Sequence, residues 1–359
     1  MSEQPFIDRP GPVRSGEALP IAQLEAYLRE QLGASGPFAV EQFPGGFSNL
    51  TYLVHFGEHE FVLRRPPFGA NIRGGHDMRR EYRILRGLQP SYGKVPRPLL
   101  FCDDLNVLDG PFYVMERVKG IILRNLAPQQ LDLTPDLMRQ ICLSLIDTFV
   151  NLHAIDYQAA GLGDLGKPAG YTARQVNGWS RRYADARTDD VPAMEHAAAW
   201  LHAHLPPEGD ATLIHNDFKY DNVVLDPHDV SRIIAVLDWE MATLGDPLTD
   251  LGTTLAYWME ADDPAPLRQF GLTSLPGNLD RAQWAARYAE RSGRDMSNIL
   301  FYFVYGLFKN AVIVQQIYAR YRKGLTNDER FANLIHMVCA YGDMAARAIE
   351  RGRIHHLFA

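Results

Sequence analysis

The spacing of apolar residues changes along this chain, and each change predicts a different kind of structure. Ile21, Leu24, Leu28 and Leu32 recur at helical spacing and predict a short amphipathic helix behind an arm rich in Pro and Gly. From residue 38 the period shortens to two, which is typical of half-buried strands. This segment predicts five strands and one helix: strands 38–43, 50–56, 61–65, 97–102 and 112–118, and a helix over 77–88.

Beyond residue 118 the apolar stripes return to helical spacing. The stripes predict long helices over 137–153, 192–204, 280–291, 296–322 and 327–350, with short strands over 212–215, 222–225 and 233–237. We therefore expect an α+β chain in which a small lobe has a five-stranded antiparallel sheet and one helix, and a larger lobe is mainly helical. The predicted limits are an N-terminal arm and short helix at 1–35, the small lobe at 36–117 and the large lobe at 118–359.

A polar loop between two of the short strands carries the densest chemical signal. It lies in LIHNDFKYDNVVL, residues 213–225, and a later strand ends in Asp238, 16 residues after Asn222. Asp217, Asn222 and Asp238 offer only oxygen ligands, which suits Mg²⁺, a hard cation that shares its coordination shell with phosphates. Phosphoryl transfer needs a carboxylate to orient a hydroxyl, oxygen ligands for a metal, and cations against the phosphates. A single aspartate here would be read as a solvated turn residue, but the ordered set between strands favours a catalytic role.

The charge of the chain argues against one class of function and favours one class of ligand. Its 36 Lys and Arg against 43 Asp and Glu give a net charge of −7, so a general nucleic-acid binder is not expected. Residues 61–100 nevertheless hold nine basic and two acidic side chains, a local charge of +7. A positive segment on an acidic chain suits a small anionic ligand.

Other sequence signals do not change this interpretation. The three cysteines form no CxxC pair, so they predict neither a disulfide framework nor a zinc site. The N-terminal residues have no apolar core typical of a secretory signal, and the apolar run at 299–308 is shorter than the roughly 20 residues of a membrane span. The sequence GLGDLG at 161–166 matches GxGxxG but follows a helix, so it does not predict a dinucleotide site. We expect a cytoplasmic protein with no membrane or nucleic-acid partner, and the sequence leaves its oligomeric state open.

Several motifs resemble one known superfamily. HNDFKYDN at 215–222 resembles the HxDxxxxN motif of the aminoglycoside phosphotransferase and choline kinase-like superfamily. LDWE at 237–240 and GDPLTDL at 245–251 are similar to its metal-binding strand end and the segment that follows. Three further segments resemble the branch fused to, or encoded beside, acyl-CoA dehydrogenases: GGFSN at 45–49, VLRRPP at 62–67 and REY at 80–82. The resemblance implies a protein kinase-like two-lobe fold.

The resemblance also implies a role for each polar residue of the loop. Asp217 would orient the substrate hydroxyl and accept its proton, and His215 would brace the loop through hydrogen bonds. Lys219 would steady the γ-phosphate, with an exposed lysine as the alternative. Asn222 and Asp238 would hold Mg²⁺ against the β- and γ-phosphates.

Three further residues, one within the loop and two after the predicted metal site, are expected to support the loop. Asn216 stands where many family members have a small residue, and asparagine tolerates left-handed backbone angles better than most side chains. Asp246 and Asp250 are expected to cap or brace the segment behind the metal site.

The small lobe is expected to bind the nucleotide. Arg64 stands where family members carry a lysine that grips the α- and β-phosphates, and Glu81 is its expected ion-pair partner. Arg65 is expected on the opposite face of the strand. The remaining predicted contacts are a turn that covers the phosphates, Gly45, Gly46, Phe47, Ser48 and Asn49, and a hinge strand at the adenine, Met115, Glu116 and Val118.

The implied activity is transfer of the γ-phosphate of ATP, or alternatively GTP, to a hydroxyl of a small molecule, with Mg²⁺ as cofactor. A hydroxylated acyl-CoA is the acceptor that the branch suggests. One alternative is a nucleotide-binding pseudokinase or scaffold without turnover, which the arginine at position 64 favours. Another is a kinase of aminoglycoside or choline-type substrates. A protein kinase is disfavoured, because Asp238 is followed by Trp-Glu rather than Phe-Gly.

Overall fold

The computed structural model describes residues 9–43, 49–69, 76–124, 131–269, 271–326 and 328–359. By their internal packing the residues form two compact units. The first consists of Met1–Ile122, Gln158–Leu162 and Asn222–Met241, and the second of Leu123–Tyr157, Gly163–Asp221 and Ala242–Ala359. The domain limits expected from the sequence, at residues 36 and 118, stay a prediction.

The first unit is built on a five-stranded antiparallel sheet, as predicted. Its strands lie in the order β1-β2-β3-β5-β4. They are β1 Phe38–Gln42, β2 Leu50–Phe56, β3 His59–Arg65, β4 Pro98–Cys102 and β5 Phe112–Glu116. The β2–β3 hairpin pairs Phe56 with His59 and turns through Gly57, whose φ of 60° suits a residue without a Cβ. β2 and β3 therefore form a β-hairpin.

Among its described residues this unit has two α-helices. Helix α1, Ile21–Leu32, buries Leu24 and Leu28 in the apolar core formed with β2 and β5. Helix α2, Met78–Leu88, begins at Asp77, whose side chain accepts a hydrogen bond from the Arg80 amide N–H at 3.0 Å. Such N-caps stabilise a helix because they satisfy a backbone donor that has no partner within the helix.

Two short strands complete the first unit and place the predicted metal ligands. Strands β7, Val223–Leu225, and β8, Ile233–Val236, pair antiparallel. The Leu237 amide N–H then donates to the Asn222 carbonyl at 2.8 Å. Because Asn222 directly precedes β7 and Asp238 directly follows Leu237, this bond fixes the two predicted ligands at the same end of the strand pair.

The second unit is mainly helical. A two-stranded sheet joins β6, Thr212–Ile214, to β9, Thr243–Gly245. The helices are α3 Pro135–His153, α4 Tyr171–Ala186, α5 Pro192–Ala203, α6 Pro247–Tyr257, α7 Ala265–Arg268, α8 Arg281–Ser292, α9 Ile299–Arg322 and α10 Ile335–Arg351. The predicted helix over 327–350 was wrong at its start, because a 3₁₀ turn at Glu329–Phe331 precedes α10.

Helix α6 is held against α9 by glycine. A Cβ at Gly252 of α6 would collide with the carbonyl of Tyr302, and one at Gly306 of α9 would collide with the carbonyl of Gly252. The two backbones can approach this closely only without side chains at these positions. This contact positions the N-terminal turn of α6, which carries Asp250.

Helix α9 is the central helix of the second unit. Within the described ranges it is the one helix long and apolar enough to cross a bilayer by length and composition. Of its apolar window, 72% is buried inside the protein, against α4, α6 and α10. A buried core helix can be as long and as apolar as a membrane span, so length and composition alone do not distinguish the two.

Candidate active site

A buried arginine joins three carboxylates in the first unit. The side chain of Arg64, on β3, is 10% exposed, and its Nη1 donates to Glu81 Oε1 of α2 at 2.6 Å. Its Nη2 donates to Asp238 Oδ1 at 3.2 Å and to Glu240 Oε2 at 3.3 Å. We call these four side chains the Arg64 cluster. The expected ion pair between Arg64 and Glu81 is present, and two further carboxylates share the guanidinium.

The Arg64 cluster carries more negative than positive charge. One guanidinium faces three carboxylates, so the formal charge is one minus three, or −2. Burial raises the pKa of Glu81 to about 6, and Asp238 adds to this rise while Arg64 opposes it. Burial alone would lower the pKa of Arg64, but Glu81 and the other acids raise it well above its usual value. One divalent cation would therefore neutralise the excess negative charge of the cluster.

Asp238 and Asn222 fit a hard cation. Asp238 has a left-handed φ of 64°, a conformation that is rare outside glycine, and its side chain is 33% exposed. Asn222 ends a 3₁₀ turn, Tyr220–Asn222, immediately before β7. Carboxylate and amide oxygens are the donors that Mg²⁺ prefers, and the two residues that carry them lie at the same end of one strand pair. The residues present therefore fit the predicted magnesium ion.

The predicted turn over the phosphates is described only at its last residue. Gly45, Gly46, Phe47 and Ser48 lie outside the described residues. Asn49 is buried, and its Nδ2 donates to Glu240 Oε2 at 2.6 Å, while its Oδ1 lies 3.0 Å from Nδ1 of His76. Asn49 thus extends the Arg64 cluster toward the start of β2.

The predicted adenine contacts lie around the end of β5. Met115 is buried, whereas Glu116 and Val118 are half-buried. The Glu116 amide N–H donates to the Arg97 carbonyl at 2.9 Å, and its carboxylate pairs with the Arg97 guanidinium. That N–H is already used within the protein, so a base would have to bind through other backbone groups of this segment.

Arg65 points away from Arg64, as expected for adjacent residues of a strand. Its Nη1 lies 2.7 Å from Asp109 Oδ1, and its guanidinium stacks 3.8 Å from the ring centroid of Phe68. Arg65 is therefore not part of the Arg64 cluster.

The predicted catalytic loop lies in the second unit, after β6. Asp250 of α6 is fully buried and accepts hydrogen bonds from the amide N–H of His215 at 2.6 Å and of Asn216 at 2.8 Å. Its Oδ2 also accepts one from His153 Nε2 at 3.1 Å. Burial alone would raise the pKa of Asp250, but His153 and the His215 N–H lower it below its usual value. Asp250 therefore braces the loop as an ionised carboxylate, and Asp246 caps α6 by accepting from the Leu248 N–H at 2.8 Å.

Asn216 gives the loop its direction. Its φ is 67°, in the left-handed region that asparagine tolerates, so the expectation for this position is confirmed. Its carbonyl accepts a hydrogen bond from Nζ of Lys309 at 2.8 Å, and its side-chain amide donates to the Tyr171 hydroxyl at 3.3 Å. The loop backbone is thus held at both its N–H and its carbonyl groups.

Asp217 carries the candidate catalytic carboxylate. Lys219 Nζ donates to Asp217 Oδ1 at 3.0 Å, and the Asp217 amide N–H donates to Nδ1 of His215 at 3.3 Å. The ring of Tyr257 lies 4.8 Å from Lys219 Nζ. Burial alone would raise the pKa of Asp217, but Lys219, His215 and Lys309 lower it. A carboxylate that stays ionised at neutral pH can orient a hydroxyl and accept its proton during phosphoryl transfer.

A family model decides the relationship of this chain to known proteins. The model for the phosphotransferase enzyme family matches residues 39–286. The chain belongs to this family. The chain matches acyl-CoA dehydrogenase family member 10 of Mus musculus with 36% identity over 86% of the chain. It spans 29% of that protein's length, and 42% of acyl-CoA dehydrogenase family member 11 of Homo sapiens, which is 33% identical.

Solved structures agree on the fold. A Ralstonia eutropha protein solved as a candidate aminoglycoside phosphotransferase is 31% identical, with a TM-score of 0.80 over 93% of this chain and 99% of that one. The GDP complex of aminoglycoside 2'-phosphotransferase-IIIa is 14% identical, with a TM-score of 0.60 over 90% of this chain and 98% of that one. The expected kinase-like fold, with a five-stranded antiparallel sheet and a helical part, is confirmed.

The sequence did not predict several residues of the candidate site, among them Glu240, Lys309 and Tyr257. Glu240 joins the Arg64 cluster because a 3₁₀ turn, Trp239–Met241, follows Asp238 directly. Lys309 reaches the loop from a helix 93 positions later, and Tyr257 lies beside Lys219 at the end of α6. The only sequence signal for Lys309 is a charge that interrupts the apolar run at 299–308.

Proposed function

We propose that this phosphotransferase transfers the γ-phosphate of a nucleoside triphosphate to a hydroxyl of a small molecule. The observation that carries the proposal is the buried ion pair between Arg64 on β3 and Glu81 on α2, at 2.6 Å. In kinase-like enzymes a basic residue contacts the nucleotide phosphates and is held by an ion pair with a glutamate. An aspartate coordinates the metal ion. The same guanidinium also contacts Asp238, the aspartate that would take the second role.

Each residue has a chemical task in this proposal. Asn222 and Asp238 would hold Mg²⁺, which neutralises charge on the phosphates when bound. Arg64 is held in place by carboxylates and presents positive charge to the nucleotide. Asp217 orients the acceptor hydroxyl and takes its proton, and Lys219 is the cation beside it. Positioning and charge neutralisation supply most of the catalysis in phosphoryl transfer, so these tasks account for the reaction.

We infer that the donor is ATP or GTP. The segment of Met115, Glu116 and Val118 would contact the base through backbone groups, which do not by themselves choose between adenine and guanine. A structural neighbour was solved with GDP, which supports a guanine nucleotide as a serious candidate. A direct comparison of the two nucleotides is therefore part of the test.

For the acceptor we propose a hydroxylated acyl-CoA. The support is the identity of 36% to a protein named for the acyl-CoA dehydrogenase family, over 86% of this chain. The alternatives are an aminoglycoside, from the names of the structural neighbours, and a choline-type alcohol. A panel of these three acceptor classes, assayed for nucleoside diphosphate release, separates them.

Two substitutions test the proposed roles. Asp217→Asn should lower turnover by a factor of about 1,000 or more while leaving Mg²⁺-nucleotide binding nearly unchanged, because it removes the proton acceptor only. Asp238→Ala should abolish the Mg²⁺-dependent rise in thermal midpoint that nucleotide produces. Asp226→Ala is the matched control, since Asp226 follows β7 as Asp238 follows β8, but it is bound by the exposed Arg232 and not by Arg64. Undiminished turnover in Asp217→Asn would refute the assignment of the base.

A nucleotide-binding protein without turnover is the second candidate. It is favoured by Arg64, which replaces the expected lysine and is bound by three carboxylates. Under this alternative the Mg²⁺-nucleotide complex would raise the thermal midpoint of the protein. No acceptor of the panel, however, would raise the rate of nucleoside diphosphate release above that of the Asp217→Asn variant.

A further inference from the structure

Lys309 is a buried cation in the apolar helix α9. Lys309 is 2% exposed, and the residues around it on α9 are almost all apolar. Long charged side chains are rarely this buried unless a specific partner holds them. Gly306, one turn earlier, fixes this part of α9 against α6, so Lys309 has little freedom to move toward solvent.

The partner of Lys309 is the catalytic loop. Its Nζ donates to the carbonyl of Asn216 at 2.8 Å, which is the carbonyl of the residue with the left-handed φ of 67°. Burial lowers the pKa of Lys309 to about 8, while Asp217 and Asp250 oppose that decrease. Lys309 in turn contributes to the lowered pKa of Asp217. The lysine therefore acts on the loop both through a hydrogen bond and through its charge.

We propose that Lys309 is a positioning residue for the transfer reaction: its hydrogen bond holds the Asn216 peptide in its left-handed conformation, and its buried charge lies near the adjacent Asp217 carboxylate. The inference rests on the proposed function, because it assigns Asp217 as the base. A purely structural lysine would be replaceable by an apolar side chain of similar shape, and buried charges are often replaced in this way without loss of stability. The charge of Lys309 instead lies near the carboxylate that would accept the proton of the substrate hydroxyl.

Other charged groups also face Asp217 and must be held constant in a test. The loop contributes His215 and Lys219, the following 3₁₀ turn contributes Asp221, and α6 contributes the phenol of Tyr257. Asp250 of α6 binds the backbone of the same loop. Substitution of Lys309 alone leaves all of them unchanged. A shift in the titration of Asp217 can therefore be assigned to the lysine.

The test is a ¹³C NMR titration of Asp217 in the full chain labelled at aspartate carboxyl carbons, with the signal assigned by its loss in Asp217→Asn. Lys309→Met removes both charge and hydrogen bond, and Lys309→Gln removes the charge but keeps a donor for the Asn216 carbonyl. We expect both variants to raise the pKa of Asp217 by about one pH unit. Gln315→Met is the matched control, because Gln315 is equally buried on α9 and donates to the Ala186 carbonyl at 2.9 Å, away from the loop.

The outcomes separate this inference from the proposed function. The inference is supported if the pKa of Asp217 rises in both Lys309 variants and does not change in Gln315→Met. It is overturned if the pKa of Asp217 is unchanged in Lys309→Gln. This second outcome decides the question even if Lys309→Met fails to fold. Turnover adds a second readout, since kcat should fall about 10- to 100-fold with little change in KM for the Mg²⁺-nucleotide complex. If wild-type protein neither binds nucleotide nor turns over, the proposed function fails, whereas the titration still reports on Lys309.

Discussion

Replacing Asp250 by asparagine should loosen the catalytic loop by an amount that the structure allows us to estimate. The carboxylate is fully buried and accepts from the N–H groups of His215 and Asn216 and from the ring of His153. A hydrogen bond to a charged group contributes about 1.5–3 kcal/mol, and the new amide would turn an NH₂ toward at least one of these donors. We expect a loss of about 3–5 kcal/mol in the free energy of unfolding.

The same substitution should change the pH dependence of stability. The pKa of Asp250 is lowered in the folded protein, so its contribution is present above the unfolded pKa and is lost as the pH falls through the folded one. Urea unfolding followed by circular dichroism at pH 7 and at about pH 2, well below the usual aspartate pKa of about 4, measures both effects. Asp250→Asn should therefore lose more stability, relative to the wild type, at the higher pH.

A second buried aspartate of α6 provides the control. Asp246 caps the helix through the Leu248 N–H and accepts from the Tyr302 hydroxyl at 2.6 Å, but it does not bond to the loop. Asparagine is an equally good N-cap, so Asp246→Asn should lose only about 1–2 kcal/mol and keep kcat within about threefold. Asp250→Asn should lower kcat about 100-fold through misplacement of Asp217. Equal losses of kcat in the two variants would refute the bracing argument.

Two further predictions concern the Arg64 cluster. Arg64→Lys should weaken Mg²⁺-nucleotide binding at least about tenfold, because one ammonium cannot bridge Glu81 and Asp238 as the guanidinium fork does; unchanged affinity in isothermal titration calorimetry would contradict this. For Glu81, whose pKa is raised to about 6, the folded protein holds its proton more tightly than the unfolded chain, so stability is lost as the pH rises through about 6. The wild type should lose about 2 kcal/mol more than Glu81→Gln between pH 4 and pH 7 in urea unfolding, and parallel profiles would show that the carboxylate is not perturbed.

The sheet of the first unit could be predicted from the sequence because its strands are short runs rich in apolar residues. Strands β2 and β3 are separated only by the short turn at Gly57, so strand composition and turn chemistry agree. Helix α6 was not predicted, since it is buried on nearly all sides and has no polar stripe to reveal a helical period. Strand β9 has only three residues, which is too short for any period.

The candidate site divides in the same way between local and long-range features. The loop of Asp217 was found because its residues are adjacent in the chain and follow a recognisable spacing. The conformation of Asn216 followed from its side chain, which tolerates positive φ. The contact of Lys309 with that residue could not be predicted, because it depends on how α6 and α9 pack at Gly252 and Gly306. Packing of this kind is a tertiary property that no local pattern encodes.

The central claim is that Asn222 and Asp238 hold the metal ion of a bound nucleotide. Asp217 then orients the hydroxyl that attacks the γ-phosphate of that nucleotide. A crystal structure of the protein with Mg²⁺ and a non-hydrolysable ATP or GTP analogue tests it most directly. We predict side-chain oxygens of Asn222 and Asp238 in the coordination shell, at about 2.1 Å from the ion, and the Asp217 carboxylate beside the terminal phosphate. A metal coordinated by other residues, or a terminal phosphate remote from Asp217, would contradict the account.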